Sequence, residues 1–88
     1  MWKITLLHHA EKQLAKLPKK QQRIIGDSID RMEKDPFQGD VRTLQGTPVS
    51  QPLYRKAVGT HRIIFSTEPS KHAVFIQQIL KRTKNTYR

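Results

Sequence analysis

The chain has 88 residues and a mass of 10.3 kDa, which is enough for one compact domain and too little for two. Its 17 lysine and arginine residues against 7 acidic residues give a formal net charge of +10, which favours polyanionic partners. The absence of cysteine excludes a disulfide scaffold and thiolate metal sites. No apolar run is long enough for a signal peptide or a membrane span, so we expect a single domain over residues 1–88, located in the reducing cytoplasm.

The N-terminal half contains patterns typical of one strand and two helices. Apolar and polar residues alternate over residues 1–7, which is the period of a half-buried strand. The apolar spacing becomes helical over residues 8–17, and Pro18 ends that segment. A second amphipathic helix is predicted over residues 19–34. Gly26 inside this helix is costly relative to alanine, so we expect it at a close helix crossing.

The C-terminal half is predicted to be a loop followed by three strands. Residues 36–52 are punctuated by Gly and Pro and are predicted as a loop. Strands rich in Val, Ile, Phe and Tyr follow at 53–58, 62–66 and 73–80, with Gly59-Thr60 as a short turn between the first two. The resulting order, β-α-α-β-β-β, predicts an α+β domain with a small, mostly antiparallel sheet. Both N-terminal helices should pack on one face and leave the other face partly open.

The positive charge is concentrated in the second half of the chain, where residues 49–88 hold eight basic residues against one acidic residue. Strand alternation directs Ile63 and Phe65 toward the core and Arg62 onto the open face. Arg55 and Lys56 are neighbours on the preceding strand and therefore point to opposite faces. Only one of these two residues can join Arg62, and the strand register decides which.

Several classes of chemistry are not supported by the sequence. Six of the seven acidic residues precede residue 49, mostly in ion-pair spacing on the second helix, so neither a paired-carboxylate site nor a two-metal site is visible. The four histidines lack metal-ligand spacing. There is no phosphate-binding glycine loop and no nucleophile elbow. We therefore expect no metal and no cofactor.

The remaining arginine, lysine and tyrosine residues suit cleavage of RNA by its own 2′-hydroxyl. In that reaction the substrate supplies the nucleophile, so the protein positions the strand, neutralises phosphate charge and moves protons. Arginine suits the second task because its planar fork binds phosphate oxygens in pairs. Tyr87 lies among Lys81, Arg82, Lys84 and Arg88. These cations favour its deprotonated form, but the ring can equally stack on a base or pack the tail against the sheet.

Several segments together resemble the RelE/ParE toxins of bacterial type II toxin–antitoxin systems. The most specific is the Gly-Thr-His-Arg-Ile-Ile-Phe segment at 59–65, followed by a basic tail with a late tyrosine. The helical frame at 10–18 is a weaker match, and the resemblance covers nearly the whole chain. Shorter matching motifs are Asp35-Pro36, Leu44-Gln45-Gly46, Tyr54-Arg55 and Arg82 with Tyr87-Arg88.

The resemblance implies a compact α+β fold of the RelE type, like that of microbial ribonucleases, and for the RelE branch it implies cleavage of mRNA in the ribosomal A site. In that branch an arginine on the third strand stabilises the phosphate in the transition state, and it matches Arg62. An assisting C-terminal arginine matches Arg82, and the late tyrosine that orients or deprotonates the 2′-hydroxyl matches Tyr87. A basic residue of the second strand matches Arg55, whereas the position two residues later, often lysine in RelE, is Ala57 here.

The same resemblance implies partners. A small antitoxin with an acidic C-terminal segment should cover the toxin, and mRNA and the ribosome should be its targets, with no membrane involved. Further basic residues expected to contact RNA are Lys56, His61, Lys81, Lys84 and Arg88.

The leading hypothesis is a ribosome-dependent endoribonuclease toxin that uses no metal and leaves a 2′,3′-cyclic phosphate. Two alternatives stay open at this point. One is a ParE-type toxin that blocks DNA gyrase without catalysis. The other is a non-catalytic RNA-binding module.

Overall fold

A computed structural model describes residues 1–48 and 50–81 of the chain. The elements, in chain order, are β1 (Lys3–Leu6), α1 (His8–Ala15), α2 (Lys19–Arg31), β2 (Val41–Thr43), β3 (Tyr54–Val58), β4 (His61–Glu68), a 3-10 turn (Pro69–Lys71) and β5 (Ala73–Lys81). This confirms the predicted α+β class. Among the helices of this described part, none is long and apolar enough to cross a membrane.

The five strands form one sheet in the order β1-β5-β4-β3-β2. The pairs β2–β3, β3–β4 and β4–β5 are antiparallel. β1 joins the sheet in parallel beside β5, with Lys3 opposite Ala73 and Leu6 opposite Ile76. The sheet is therefore mostly antiparallel, as predicted, and strands that are far apart in sequence lie side by side at one edge.

The hydrophobic core lies between the two helices and one face of the sheet. α2 contributes an amphipathic stripe in which Ile25, Ile29 and Met32 recur at helical spacing and are all buried. From the sheet, Ile63 and Phe65 are completely buried, so the predicted core side of β4 is confirmed. The buried cluster consists of Ala10, Ile25, Ile29, Met32, Ile63, Phe65, Val74, Ile76 and Ile79.

The expectation that residues 36–52 form only a loop is wrong. Val41–Thr43 forms the edge strand β2, which pairs antiparallel with β3. Immediately before β2, the carbonyl of Asp40 accepts a 2.9 Å hydrogen bond from the backbone N–H of Ala57. A strand of three residues is too short to produce a recognisable alternation, so its pairing with β3, rather than its own sequence, defines it.

The β4–β5 ladder contains a β-bulge. Ile64 lies opposite Gln78, whereas the next residue, Phe65, lies opposite Ile76. Gln77 is therefore an extra residue in β5 with no counterpart on β4. Bulges of this kind bend the strand and redirect its side chains.

Gly26 is not at a close helix crossing, contrary to the expectation from the sequence. A Cβ atom built on Gly26 meets no heavy atom within 4 Å beyond its chain neighbours and its own helix backbone.

We expect Gly26→Ala to raise the free energy of unfolding by about 0.5–1 kcal/mol, because alanine has less backbone entropy to lose on folding. Urea denaturation checks this. Gly59→Ala is the control and should destabilise, because Gly59 has φ +58°; an unchanged or lower stability for Gly26→Ala would contradict the prediction.

Candidate functional site

The face of the sheet opposite the helices carries three arginines at neighbouring positions. Arg42 of β2 lies directly opposite Arg55 of β3. Arg55 in turn lies opposite Ile64 of β4, and Arg62 lies opposite Ala57. Arg55 and Arg62 are thus diagonal neighbours, a relation that separates Cα atoms by about 7–8 Å. We call Arg42, Arg55 and Arg62 the arginine face.

Asp40 lies at the β2 edge of the arginine face. Its carboxylate Oδ1 lies 3.7 Å from Nε of Arg42 and 3.7 Å from Nη2 of Arg55. The Asp40 side chain is 58% exposed, whereas that of Arg55 is 12% exposed. Ion pairs with an exposed partner contribute little stability. The Asp40–Arg42 pair, in which both side chains are exposed, is therefore a weak competitor for an incoming phosphate.

Arg62 is held by its own hairpin turn. Its Nη1 donates hydrogen bonds to the carbonyls of His61, at 2.9 Å, and Gly59, at 3.2 Å. Gly59 has the positive φ that two-residue hairpin turns require. Arg62 lies on the predicted face but is only 8% exposed, so the expected open position is corrected to a buried one. No acidic side chain forms a salt bridge with Arg62 within residues 1–48 and 50–81.

The register also decides between the two basic residues of β3. Lys56 lies opposite the core residue Ile63, so it belongs to the helix side of the sheet. It is buried there, and its Nζ donates a 2.7 Å hydrogen bond to the carbonyl of Gln38. Burial lowers the pKa of Lys56 below its ordinary value. Arg55, and not Lys56, is therefore the neighbour of Arg62.

His61 is buried at the edge of the helix side. It lies opposite Val58 on β3 and Lys81 on β5, and it is 5% exposed. Its Nδ1 is 3.2 Å from the hydroxyl of Thr60. Burial, helped by the charge of Lys81, lowers the pKa of His61. The expected RNA contacts of His61 and Lys56 stay predictions. Both residues lie on the helix side of the sheet, away from the arginine face.

The buried His61 predicts a loss of stability in acid. Its pKa lies below the ordinary value of 6.5 in the folded chain, so the unfolded chain takes up a proton first as the pH falls. The free energy of unfolding therefore decreases until the folded-state pKa is reached. We expect His61→Gln to lose less stability than wild type between about pH 7.5 and about pH 5.5, measured by urea unfolding. His9→Gln, at an exposed position of α1, should keep the wild-type slope; three equal slopes would contradict the prediction.

Four of the predicted site residues lie outside the described residues: Arg82, Lys84, Tyr87 and Arg88. Their roles stay predictions. Lys81, the last residue of β5, is exposed and lies opposite His61 at the start of β4. Of the four predicted catalytic residues, the structure brings together Arg55 and Arg62.

Two residues of the site, Arg42 and Asp40, were not identified from the sequence. Both fall in the segment 36–52, where glycine and proline pointed to a loop. The only indication in the sequence is that Arg42 lies between two β-branched residues, and a segment of three residues is too short to be identified as a strand. Among the described residues there is no group of three or more His, Cys, Asp or Glu side chains that could hold a metal ion.

No family model and no curated protein matches the sequence. A chain of the archaeal RelE–RelB complex from Pyrococcus horikoshii OT3 matches with a TM-score of 0.79 and 27% identity, covering 94% of this chain and 97% of that chain. A chain of the intact Escherichia coli RelBE toxin–antitoxin complex matches with a TM-score of 0.74 and 16% identity, covering 96% and 100%.

A chain of the Mycobacterium tuberculosis toxin–antitoxin complex RelBE2 matches with a TM-score of 0.75 and 15% identity, covering 92% of this chain and 98% of that one. These matches confirm the resemblance inferred from the 59–65 segment and the helical frame. The chain matches the RelE toxins in structure over nearly its full length, and its fold is that of RelE.

Proposed function

We propose that this chain is the RelE-type toxin of a toxin–antitoxin pair and that it cleaves mRNA in the ribosomal A site without a metal ion. One observation carries the proposal: Arg55 and Arg62 lie side by side on the sheet face opposite the helices, within a RelE fold. Two guanidinium groups at such a spacing suit the charge that develops on a phosphodiester during attack. The high positive charge of the chain supports a polyanionic substrate.

The reaction needs only one nucleophile, which the RNA provides. The 2′-oxygen bonds to phosphorus, the bond from phosphorus to the 5′-oxygen of the next nucleotide breaks, and the products are a 2′,3′-cyclic phosphate and a 5′-hydroxyl. One proton leaves the 2′-hydroxyl and one reaches the leaving oxygen. In this proposal Tyr87 orients or deprotonates the 2′-hydroxyl and Arg82 assists, as the resemblance to RelE implies.

Arg62 is suited to hold the phosphate because it is already oriented. Its Nη1 is bonded to two turn carbonyls, and the N–H groups on Nε and Nη2 are further donors of the same planar fork. A guanidinium fixed in this way needs little rearrangement when the phosphate arrives, which favours transition-state stabilisation. Arg55 supplies the second positive charge after the phosphate replaces the carboxylate of Asp40.

A translation extract tests the proposal directly. Purified wild-type chain is added to mRNA-programmed ribosomes, and the new RNA ends are mapped by primer extension. Cleavage within codons at the A site, with a 5′-hydroxyl product and no cleavage of the same mRNA without ribosomes, is the expected result. Folded protein that cuts nothing would overturn the proposal. Inhibition of gyrase supercoiling would then favour the ParE-type alternative, and RNA retention without either activity would favour a binding module.

Asp40→Asn is expected to strengthen RNA binding by the arginine face. The substitution removes one negative charge that lies 3.7 Å from Arg42 and from Arg55, so affinity for a short single-stranded RNA at low salt should rise by up to about five-fold. Fluorescence anisotropy of a labelled oligonucleotide measures this. Asp30→Asn changes the net charge equally but lies exposed on α2. Equal gains for the two variants would mean that net charge, and not the position of Asp40, controls binding.

The partner in this proposal is a small antitoxin. The matched structures from P. horikoshii, M. tuberculosis and E. coli are RelE–RelB complexes, and the arginine face suits an acidic segment as well as a phosphate chain. Induced expression of this chain should arrest growth, and co-expression with the open reading frame beside its gene should restore growth. Arrest that persists with every neighbouring frame would remove the antitoxin from the proposal.

A further inference from the structure

A second feature of the open face lies beside the arginines. It is a cleft of about 480 Å³ between the segment before β3, the second half of β4 and the start of β5. We call it the aromatic cleft and define it by the lining residues Leu53, Ser66, Phe75 and Gln77. The proposed cleavage step uses none of these four side chains, so their arrangement on the open face requires a separate explanation.

The aromatic cleft adjoins the arginine face along two strands. Leu53 precedes Arg55 by two residues, which corresponds to about 7 Å along an extended chain on the same side. On the neighbouring strand, Ser66 follows Ile64 by two residues, and Ile64 lies opposite Arg55. Leu53 and Ser66 are therefore neighbours of Arg55 on the sheet, and Phe75 lies one strand further away, opposite Ser66.

Phe75 provides an aromatic ring within the cleft. It lies opposite Ser66 in the β4–β5 ladder and is partly exposed, so it belongs to the open face and not to the core. The ring pairs found among the described residues do not include Phe75. Among the described residues, Glu68 is the one charged side chain that lines the cleft, so the ring and not a local cation is the group that would hold a base there. Aromatic rings on open sheet faces are the usual platforms on which single-stranded RNA bases stack.

Gln77 supplies the polar side of the cleft. It follows Phe75 by two residues of the same strand and therefore shares the open face, where its Nε2 donates a 3.1 Å hydrogen bond to Oγ of Ser66. A primary amide has two N–H donors and a carbonyl acceptor, so this bond leaves groups that can bind the edge of a base.

We propose that the aromatic cleft binds one nucleobase of the single-stranded RNA substrate, with Phe75 stacking on the base and Gln77 bonding its edge. A phosphate next along the strand then lies on Arg55, and the strand continues toward Arg62, four residues from Ser66 on β4. The proposal rests on the proposed function and adds a positioning subsite to it. Stacking beside the phosphate site fixes the strand and so orients the linkage that is cut. The guanidinium groups on the same face select a nucleic acid over an apolar peptide as the occupant.

An abasic scan tests the subsite without depending on cleavage. The full chain is titrated with a labelled, uncleavable 2′-O-methyl pentanucleotide and with five versions that each lack one base, at low salt. Removal of one particular base should weaken binding by about five-fold to 100-fold, since stacking of a single base carries that much affinity. In Phe75→Leu, the same abasic version should bind nearly as well as the intact oligonucleotide. Phe37→Leu, an exposed aromatic packed against Tyr54 on the helix side, is the matched control and should behave like wild type.

Other outcomes overturn the subsite. If all five abasic versions bind like the intact oligonucleotide, or if Phe75→Leu keeps the full base dependence, no base occupies the cleft. If Phe75→Leu does not fold, Gln77→Ala replaces it and should reduce the dependence on that same base. Wild type that cuts mRNA on ribosomes but shows no base dependence retains the proposed function and loses the subsite. If binding depends on one base but the wild type does not cut mRNA on ribosomes, the subsite is retained and the proposed function is lost.

Discussion

Arg62→Ala should reduce the rate of mRNA cleavage on programmed ribosomes by about 100-fold to 1,000-fold. The reason is that it removes a preoriented cation from the position where negative charge develops, an effect of this size for single donors in other active sites. The rate is measured under single-turnover conditions from the appearance of 5′-hydroxyl ends. Binding to ribosomes should change much less than the rate, because the loss falls on the transition state.

Two further variants show whether the guanidinium itself matters. Arg62→Lys keeps a positive charge but loses the planar fork, so it should recover only a small part of the rate. Arg23→Ala removes one positive charge from an exposed position of α2 and should cut like wild type. Because Arg62 also bonds two turn carbonyls, the melting temperature of each variant is recorded. A folded Arg62→Ala that cleaves within a few-fold of wild type would remove Arg62 from the reaction.

Ile25→Ala should lower the free energy of unfolding by about 2–5 kcal/mol, because it opens a cavity in a core that is close-packed. Ile25 is fully buried in α2, between the sheet and the rest of the helical layer. Since domains are stable by only about 5–15 kcal/mol, this single change should bring the protein near the limit of folding. Urea unfolding followed by circular dichroism measures the loss.

The adjacent residue provides a matched control. Ile24 has the same chemistry and the same helix but is 40% exposed. Ile24→Ala removes little buried surface, and alanine is the better helix former, so the expected change is below about 1 kcal/mol. If both substitutions cost the same, the core does not lie where the helical stripe of α2 places it.

Most of the fold could be predicted because its elements have strong periodic patterns. The alternation before His8, the helical spacing of Ile25 and Ile29, and the apolar runs of the last three strands all correspond to observed elements. β2 could not be predicted, since three residues carry no measurable period and the strand exists through its partner β3. The bulge at Gln77 was equally invisible, because an extra residue in a ladder is defined only by the opposite strand.

The site was predictable in its residue types and less so in its geometry. Arg62 and Arg55 were identified from the sequence, but only the register shows that Arg55 is the neighbour of Arg62 and that Lys56 turns to the core. A buried lysine is rare enough that exposure was the natural expectation. Arg42 could not be identified because β2 itself could not be predicted. Its position opposite Arg55 is defined only when the two strands pair.

The parallel contact between β1 and β5 sets the order in which this chain can fold. The partners of β1 in the sheet are residues 72–76, so β1 cannot pair until β5 has been made. Closing so long a loop is entropically costly and slow compared with forming the hairpins of β3, β4 and β5. Residues 72–76 must therefore be synthesised before β1 has a place to dock, and a chain that stops short of β5 has a sheet that lacks this edge.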